Sequence, residues 1–464
     1  MLRRPLAIAL ALVLLPAAAQ ADDLLQTYHH ARNSDPQFAA AESNRAIAAE
    51  RPVLARSALL PQVGGSVGVN RVDAGDRTVR TASWGVEASQ SVFDWGNVTN
   101  LRAARALDRA GGFDLEAAGD TLITRTSAAY FTVLVQLETL TAAQAAEAAL
   151  KKQFDFASKR LEVGLAPITD VHEARAQYDA ARANTILTRN AVQDAYQALV
   201  EITGTPVANL KGLPDDFQAA LPAQGDADAW VSTALAQNPT LKAQAADLEA
   251  AEHNVDTARS GHYPTVGLRA SYGKAIPGLY DPEFVGRNDA STSVGLAVNI
   301  PIFSGFATQS QVRTSLAQRD ATADALESTR RAIERNTRSG YQALVAGISE
   351  VEARRLALVA AQSAYDASQV GLEVGTRTVL DVLNNQRTLL SAQQAYAQAK
   401  YNFLQSRLLL EQAAGTLDVA DVQDVEAQLR ELQTLGELTE GSRGLDGLRD
   451  LMRAFTMEVG LTPA

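Results

Sequence analysis

The chain has 464 residues, is 46% hydrophobic and carries a formal net charge of −11. An acidic chain of this composition lacks the basic surface that nucleic-acid binders need. Without any cysteine it has no disulfide framework, no thiolate metal site and no lipid anchor on an N-terminal cysteine.

The N-terminus reads MLRRPLAIALALVLLPAAAQA. Arg3 and Arg4 are a basic start, Leu6 to Leu15 is apolar, and Ala19-Gln20-Ala21 fits a small-x-small cleavage site. Residues 1–21 are therefore expected to be a signal peptide, whose removal takes the charge from −11 to −13. The alternative, an uncleaved anchor, needs about 20 apolar residues, more than this run supplies. Nothing later resembles a membrane helix, so any crossing of a membrane must use strands.

A helical stretch over about 36–58 then ends at Pro61, and a strand pair follows over 61–93. A long helical hairpin covers 97–203, its descending arm running from Asn97 to Val163 and its returning arm over 168–203. Gly111, Gly112 and Gly119 are expected to loosen the descending arm. The same order recurs: a helix over about 239–261, a strand pair over 264–302 and a second hairpin over 306–414, descending from Phe306 to Gly371. Each descending arm approaches about 100 Å at 1.5 Å per residue. In the second, Leu344, Val351, Leu358 and Tyr365 recur every seven residues, with Ile348 between them, as in a coiled-coil seam.

The recurrence is a duplication. LEVGLAPITDV (161–171) returns as LEVGTRTVLDV (372–382), and Gly204-Thr205 as Gly415-Thr416, all at an offset of 211. Asp35-Pro36, Ala55-Arg56-Ser57 and Pro61 return as Asn238-Pro239, Ala258-Arg259-Ser260 and Pro264 at an offset of 203. Gapless self-similarity of this kind marks a repeated structural unit. Residues 22–235 are read as the first repeat, 236–416 as the second, and 417–464 as an equatorial segment and tail.

The strands alternate at period two. Val63, Val67 and Val69 share one face; Trp84, Val86 and Ala88, then Val266, Leu268, Ala270 and Tyr272, then Val294, Leu296, Val298 and Ile300 do the same. The opposite faces are small or polar. A half-buried soluble sheet gives this pattern too, but export, the absence of cysteine and the aromatics Trp95, Phe303 and Phe306 just past the strands favour a membrane barrel. Four strands cannot close a pore and an open edge is prohibitive in lipid, so copies must pool their strands. Two copies would give eight and three would give twelve.

SDPQ, ARSALLPQ, SQSVFDWGN, VGLAPITDVHEARAQYD, PIFSGF and VGTRTVLDVLN, in this order, resemble the TolC family of outer-membrane efflux and secretion channels, its non-acylated branch more than the acylated one. The resemblance implies a mixed α and β membrane protein: a homotrimer with a 12-stranded outer-membrane β-barrel continuous with a 12-helix periplasmic α-barrel of long coiled-coil hairpins. It further implies an equatorial region from about 205–235 and the segment after Gly415. The implied partners are a periplasmic membrane-fusion adaptor, an inner-membrane pump or ABC transporter, and outer-membrane lipid. The rival without a pore is a periplasmic coiled-coil adaptor or scaffold, which would normally carry one hairpin between soluble β domains.

The resemblance also implies site residues. Gly164, Leu165, Gly375 and Thr376 are expected to be hairpin tips that dock on the adaptor. Thr169, Asp170, Arg377 and Asp381 are expected to form the gate, Arg377 of one hairpin bonding the other. A latch tyrosine of the family falls at Leu372, and the second of its pore-lining aspartates at Asn384. Independently of the resemblance, Asp170 and Asp381 suit helix starts, and Thr378-x-x-Asp381 fits a capping box.

No catalytic signature accompanies these motifs. The five histidines, His29, His30, His172, His253 and His262, form no HExxH, and neither a G-x-S-x-G nor a phosphate-binding glycine loop is present. No cofactor or metal is expected.

Overall fold

In the computed structural model residues 23–431 are described, except 75–76, 166, 208–209, 215–216, 222–224 and 277–289. The expected signal peptide (1–21) and the acidic tail (about 436–464) lie outside the described residues.

In chain order the elements are α1 (Leu24–Ser34), α2 (Pro36–Ser57), β1 (Gln62–Ala74), β2 (Arg77–Phe93), α3 (Trp95–Glu162), α4 (Ile168–Thr203), β3 (Lys211–Gly212) and α5 (Ala227–Gln237). They continue with α6 (Pro239–Ser260), β4 (Thr265–Ala275), β5 (Ser291–Asn299), α7 (Ala307–Glu373), α8 (Val379–Ala414), α9 (Val419–Gln428) and β6 (Arg430–Glu431).

Local chemistry explains why the sequence echoes fall where they do. Asp35 Oδ2 accepts from Phe38 N at 2.9 Å, and Asn238 Oδ1 accepts from Leu241 N at 3.1 Å. Each acidic or amide side chain thus caps a helix whose first residue is proline, whose missing N–H costs nothing at that position. The other end of the echo has the same logic. Gly204 and Gly415 close α4 and α8 with φ of 67° and 70°, the left-handed cap that glycine adopts without strain.

Two compact units result, and each draws on both sequence repeats: among the described residues, one from 23–38, 120–230 and 337–431, the other from 39–119 and 231–336. The first unit contains both hairpin ends. Its core holds Tyr130, Leu134, Leu199, Leu344, Leu404 and Leu408. Leu344 and Val351 of the α7 seam are buried there, and Leu358 and Tyr365 are half-buried. Across this core Lys400, only 2% exposed, donates to Glu138 Oε1 at 3.2 Å, and Tyr401 Oη donates to the same oxygen at 2.7 Å. That oxygen ties α3 to α8. Burial, then the Glu138 charge, pushes the Tyr401 phenol well above its usual range. Lys211–Gly212 pairs antiparallel with Arg430–Glu431, so a short sheet joins the segment after α4 to the segment after α9.

The second unit contains one antiparallel sheet in the order β1-β2-β4-β5. Register places Val63, Val67 and Val69 opposite Ala88, Trp84 and Ala82. Val86 and Ala88 face Tyr272 and Ala270, while Leu268 and Ala270 face Leu296 and Val294. These apolar positions therefore share one face. It is open: Val63, Val67, Val294 and Leu296 are all exposed. The edges β1 and β5 have no further strand beside them among the described residues.

One expectation is corrected here. Gly111, Gly112 and Gly119 do not loosen the long helix, which runs unbroken through 68 residues. At Gly111 the reason is contact: a Cβ there would lie 2.5 Å from Ala48 Cβ, so glycine lets α2 approach α3. Nearby, Arg45 pairs with Asp108 across the same two helices.

Candidate functional site: the two hairpin tips

Both turns close with the same pair of backbone bonds. Gly164 N donates to Leu161 O at 2.9 Å and Leu165 N to Arg160 O at 2.8 Å; Gly375 N donates to Leu372 O at 3.2 Å and Thr376 N to Gly371 O at 2.8 Å. This is the double bond pattern of a helix ended by a left-handed residue. Gly164 and Gly375 have φ of 74° and 78°, which only glycine adopts cheaply. A Cβ at either would meet nothing within 4 Å, so conformation rather than crowding requires glycine at both.

What braces the turns differs. At the first, the Arg160 guanidinium donates to Leu165 O at 3.2 Å while lying over the Phe156 ring. Pro167 then starts α4 with no side-chain cap. At the second, Thr376 Oγ1 donates to Gly371 O at 3.2 Å, and Thr378 and Asp381 form a capping box that starts α8. The Asp381 carboxyl is held below its ordinary range by the Thr378 N–H, then by the Thr378 hydroxyl, with Arg377 adding a smaller push.

Of the expected gate residues, Thr169 and Arg377 are exposed and Asp170 and Asp381 are half-buried. The described residues show no hydrogen bond or ion pair between Arg377 and Thr169 or Asp170 within one chain. The Arg377 stem instead lies along Gly371, where an added Cβ would sit 2.6 Å from Arg377 Cγ. Leu372 is half-buried and Asn384 exposed.

Besides the expected Leu165, the tips present apolar residues that sequence reasoning did not single out. Val163 (68%), Leu165 (69%) and Ile168 (57%) are exposed on the first tip, and Val374 (68%) and Leu380 (48%) on the second. Val163 and Val374 occupy the same place in the repeated motif, which was the available signal. Groups of three or more ionisable metal-binding side chains are absent among the described residues. No described helix is long and apolar enough to cross a membrane.

The chain thus carries an open-edged sheet with one exposed apolar face and two long helical hairpins. The family described as "Outer membrane efflux protein" matches residues 27–205 and 230–416, and the chain belongs to it. It is similar to the outer membrane protein TolC of Escherichia coli strain K12, with 33% identity over 90% of this chain and 87% of that one. It is also similar to the alkaline protease secretion protein AprF of Pseudomonas aeruginosa, with 27% identity over 89% and 88%. Its fold matches the crystal structure of the Campylobacter jejuni CmeC outer membrane channel at a TM-score of 0.73, covering 87% of this chain and 89% of that one at 18% identity. Family membership puts the chain in the outer membrane as a channel protein rather than a soluble scaffold.

Proposed function

We propose that three copies of this chain pool their strands into a 12-stranded barrel in the outer membrane, and their hairpins into a 12-helix tunnel through the periplasm. The observation that carries this reading is the four-stranded sheet with an exposed apolar face and two unpaired edges. Such edges are untenable in lipid unless another copy covers them. The assembly acts as the exit duct for drug efflux and for type I protein secretion, which accords with its similarity to TolC and to AprF.

The hairpin tips dock on a periplasmic adaptor that couples the duct to an inner-membrane pump or ABC transporter. Gly164 and Gly375 allow the tips to turn tightly, and the exposed Val163, Leu165 and Val374 supply apolar contact. The closed state is held by Arg377 of one hairpin bonding Thr169 and Asp170 of the other. Its exposed guanidinium has no bond to those residues in its own chain, which leaves it available to a neighbouring copy. Asp381, one from each copy, makes an anionic ring near the entrance. Its depressed pKa keeps it charged.

Membrane fractionation and chemical crosslinking of the full chain test this reading. A trimer in the outer membrane is expected. Recovery as a soluble periplasmic monomer would contradict it.

A further inference from the structure

Within the unit that holds both hairpin ends, four helical arms stand in a row. Thr185 Oγ1 of α4 donates to Ala143 O of α3 at 3.4 Å, and Phe154 and Tyr178 stack across the same pair. Gln405 Nε2 of α8 donates to Thr124 O of α3 at 3.2 Å, and Asn385 Nδ2 of α8 donates to Ala364 O of α7 at 3.4 Å. The order is therefore α4, α3, α8, α7, with α4 and α7 at the two ends.

Both ends expose apolar side chains. On α7, Val345, Leu356, Val359 and Val370 are all exposed. Their spacings of 11, 3 and 11 residues keep them within about 60° of one another around the helix. The seam of Leu344, Val351, Leu358 and Tyr365 lies about 120° away. A helix with two separate apolar stripes has two neighbours, and the described residues supply only one of them. On α4, the exposed Ile186 points about 140° away from the buried Thr185, Thr188, Val192 and Ala195.

Height and charge match the two ends to each other. Gln177, Ala181 and Asn184 of α4 line one cavity with Gln386, Leu390 and Gln394 of α8, so both returning helices start at nearly the same level. Leu356 lies 17 residues before Glu373, the end of α7, and Ile186 lies 18 residues after Ile168, the start of α4. Asp366 and Arg175 each lie 7 residues from those same ends. Around Ile186, α4 carries Arg175, Arg182 and Arg189 against Asp179, whereas Glu352 and Asp366 fall within the α7 stripe. Arg355, on the flank, already holds Glu352 with two bonds of 2.8 Å. Asp366 accepts from Gln362 Nε2 at 2.9 Å but has no cation beside it among the described residues. Arg175 reaches Asp179 only loosely, at 3.7 Å.

We propose that the Val345–Val370 stripe of α7 docks on the Ile186 face of α4 in the next copy of this chain, with Leu356 against Ile186 and Asp366 beside Arg175. The two surfaces differ, so the contact is heterologous, and its repetition around one axis closes a ring. Contact of α7 with α7 would instead set Asp366 against Asp366. The proposal rests on the reading above that copies assemble around one axis, and it adds which helices meet and through which residues.

The chain has no cysteine, so thiol crosslinking of the full chain in outer-membrane vesicles reports this seam directly. With a short bis-maleimide, Ile186→Cys and Leu356→Cys in one chain should give covalent dimers and trimers on a denaturing gel. Either substitution alone should give none, and the two single variants co-expressed should stop at dimers. Asn184→Cys, near the same level but on the cavity side, should not pair with Leu356→Cys. Asp366→Arg should slow the reaction about threefold, the modest effect of an exposed pair, and adding Arg175→Asp should restore it. Dimers from Leu356→Cys alone would overturn the seam, as would trimers that a lysine-reactive reagent captures but that yield no product joining positions 186 and 356. Absence of any oligomer with either reagent would overturn the assembly reading, and this proposal with it.

Discussion

Thr378 and Asp381 cap each other: Asp381 N donates to Thr378 Oγ1 at 3.2 Å, and Thr378 N donates to Asp381 Oδ2 at 2.9 Å. Asp381 therefore serves the start of α8, and under the proposed function its charge also faces the tunnel. The two roles separate by substitution. Asp381→Asn keeps an acceptor for the cap but removes the charge, so it should leave the helix start nearly intact and relieve block of conductance by trivalent cations from the periplasmic side. Asn384→Asp should tighten that block by adding a second ring of charge. Unchanged block in both variants, measured in planar bilayers, would reduce Asp381 to its capping role.

Gly375→Trp should abolish export while assembly and membrane levels stay normal. An added Cβ meets nothing within 4 Å, so the local cost is that of a left-handed residue with a side chain, about 1–2 kcal/mol. The bulk then blocks approach of the adaptor. Drug sensitivity of cells carrying the variant, beside its abundance in the outer membrane, checks this; normal export would remove the docking role.

Arg377→Ser should make the resting channel leaky. Each link in a hydrated constriction contributes about 0–1 kcal/mol, so three symmetric links bias closure by up to about 3 kcal/mol, roughly a hundredfold in population. Asp170→Ala should have the same effect, and the double variant should add little because both cut one link. Uptake of large antibiotics by intact cells is the readout. Leu372 offers no hydroxyl to share the load.

Glu411 gives a pH dependence. It is buried, with Oε1 accepting from Arg407 Nε at 3.1 Å. Burial, and then the Asp421 charge, push its carboxyl up to about 7, with Asp424 adding to the rise and Arg407 opposing it. A carboxyl that binds its proton more tightly when folded stabilises the fold fully below its unfolded pKa of about 4.3. That contribution is lost as pH rises through about 7. Hydrogen exchange over 407–428, corrected for intrinsic rates, should therefore accelerate between pH 5 and pH 8 in the wild type. The acceleration should be much smaller in Glu411→Gln.

Much of the fold was legible because its devices are local. The caps before Pro36 and Pro239, the left-handed glycines and the alternation of the strands each write a recognisable pattern, so element ends came within a few residues. What was not legible depends on long-range contact. The pairing of β2 with β4, which merges two strand pairs into one sheet, leaves no trace in either strand. Gly111 reads as a weak point in a helix until Ala48 is seen against it. No local pattern marks Lys400 as buried; Glu138 and two tyrosine rings, the first on another helix, hold it inside. Helix α1 was missed because eleven residues directly behind the expected cleavage site carry too little periodicity, and the two-residue strands β3 and β6 carry none. At the tips, the repeated glycines marked the turns at once, but the different braces, Arg160 in one and the capping box in the other, emerged only from the geometry.

Single-channel recording tests the central claim most directly. The purified full chain, reconstituted in planar bilayers, should give discrete conductance steps whose resting level is low and whose block by trivalent cations is confined to the periplasmic side. Membrane-inserted, folded protein that passes no ions under any voltage would contradict the account.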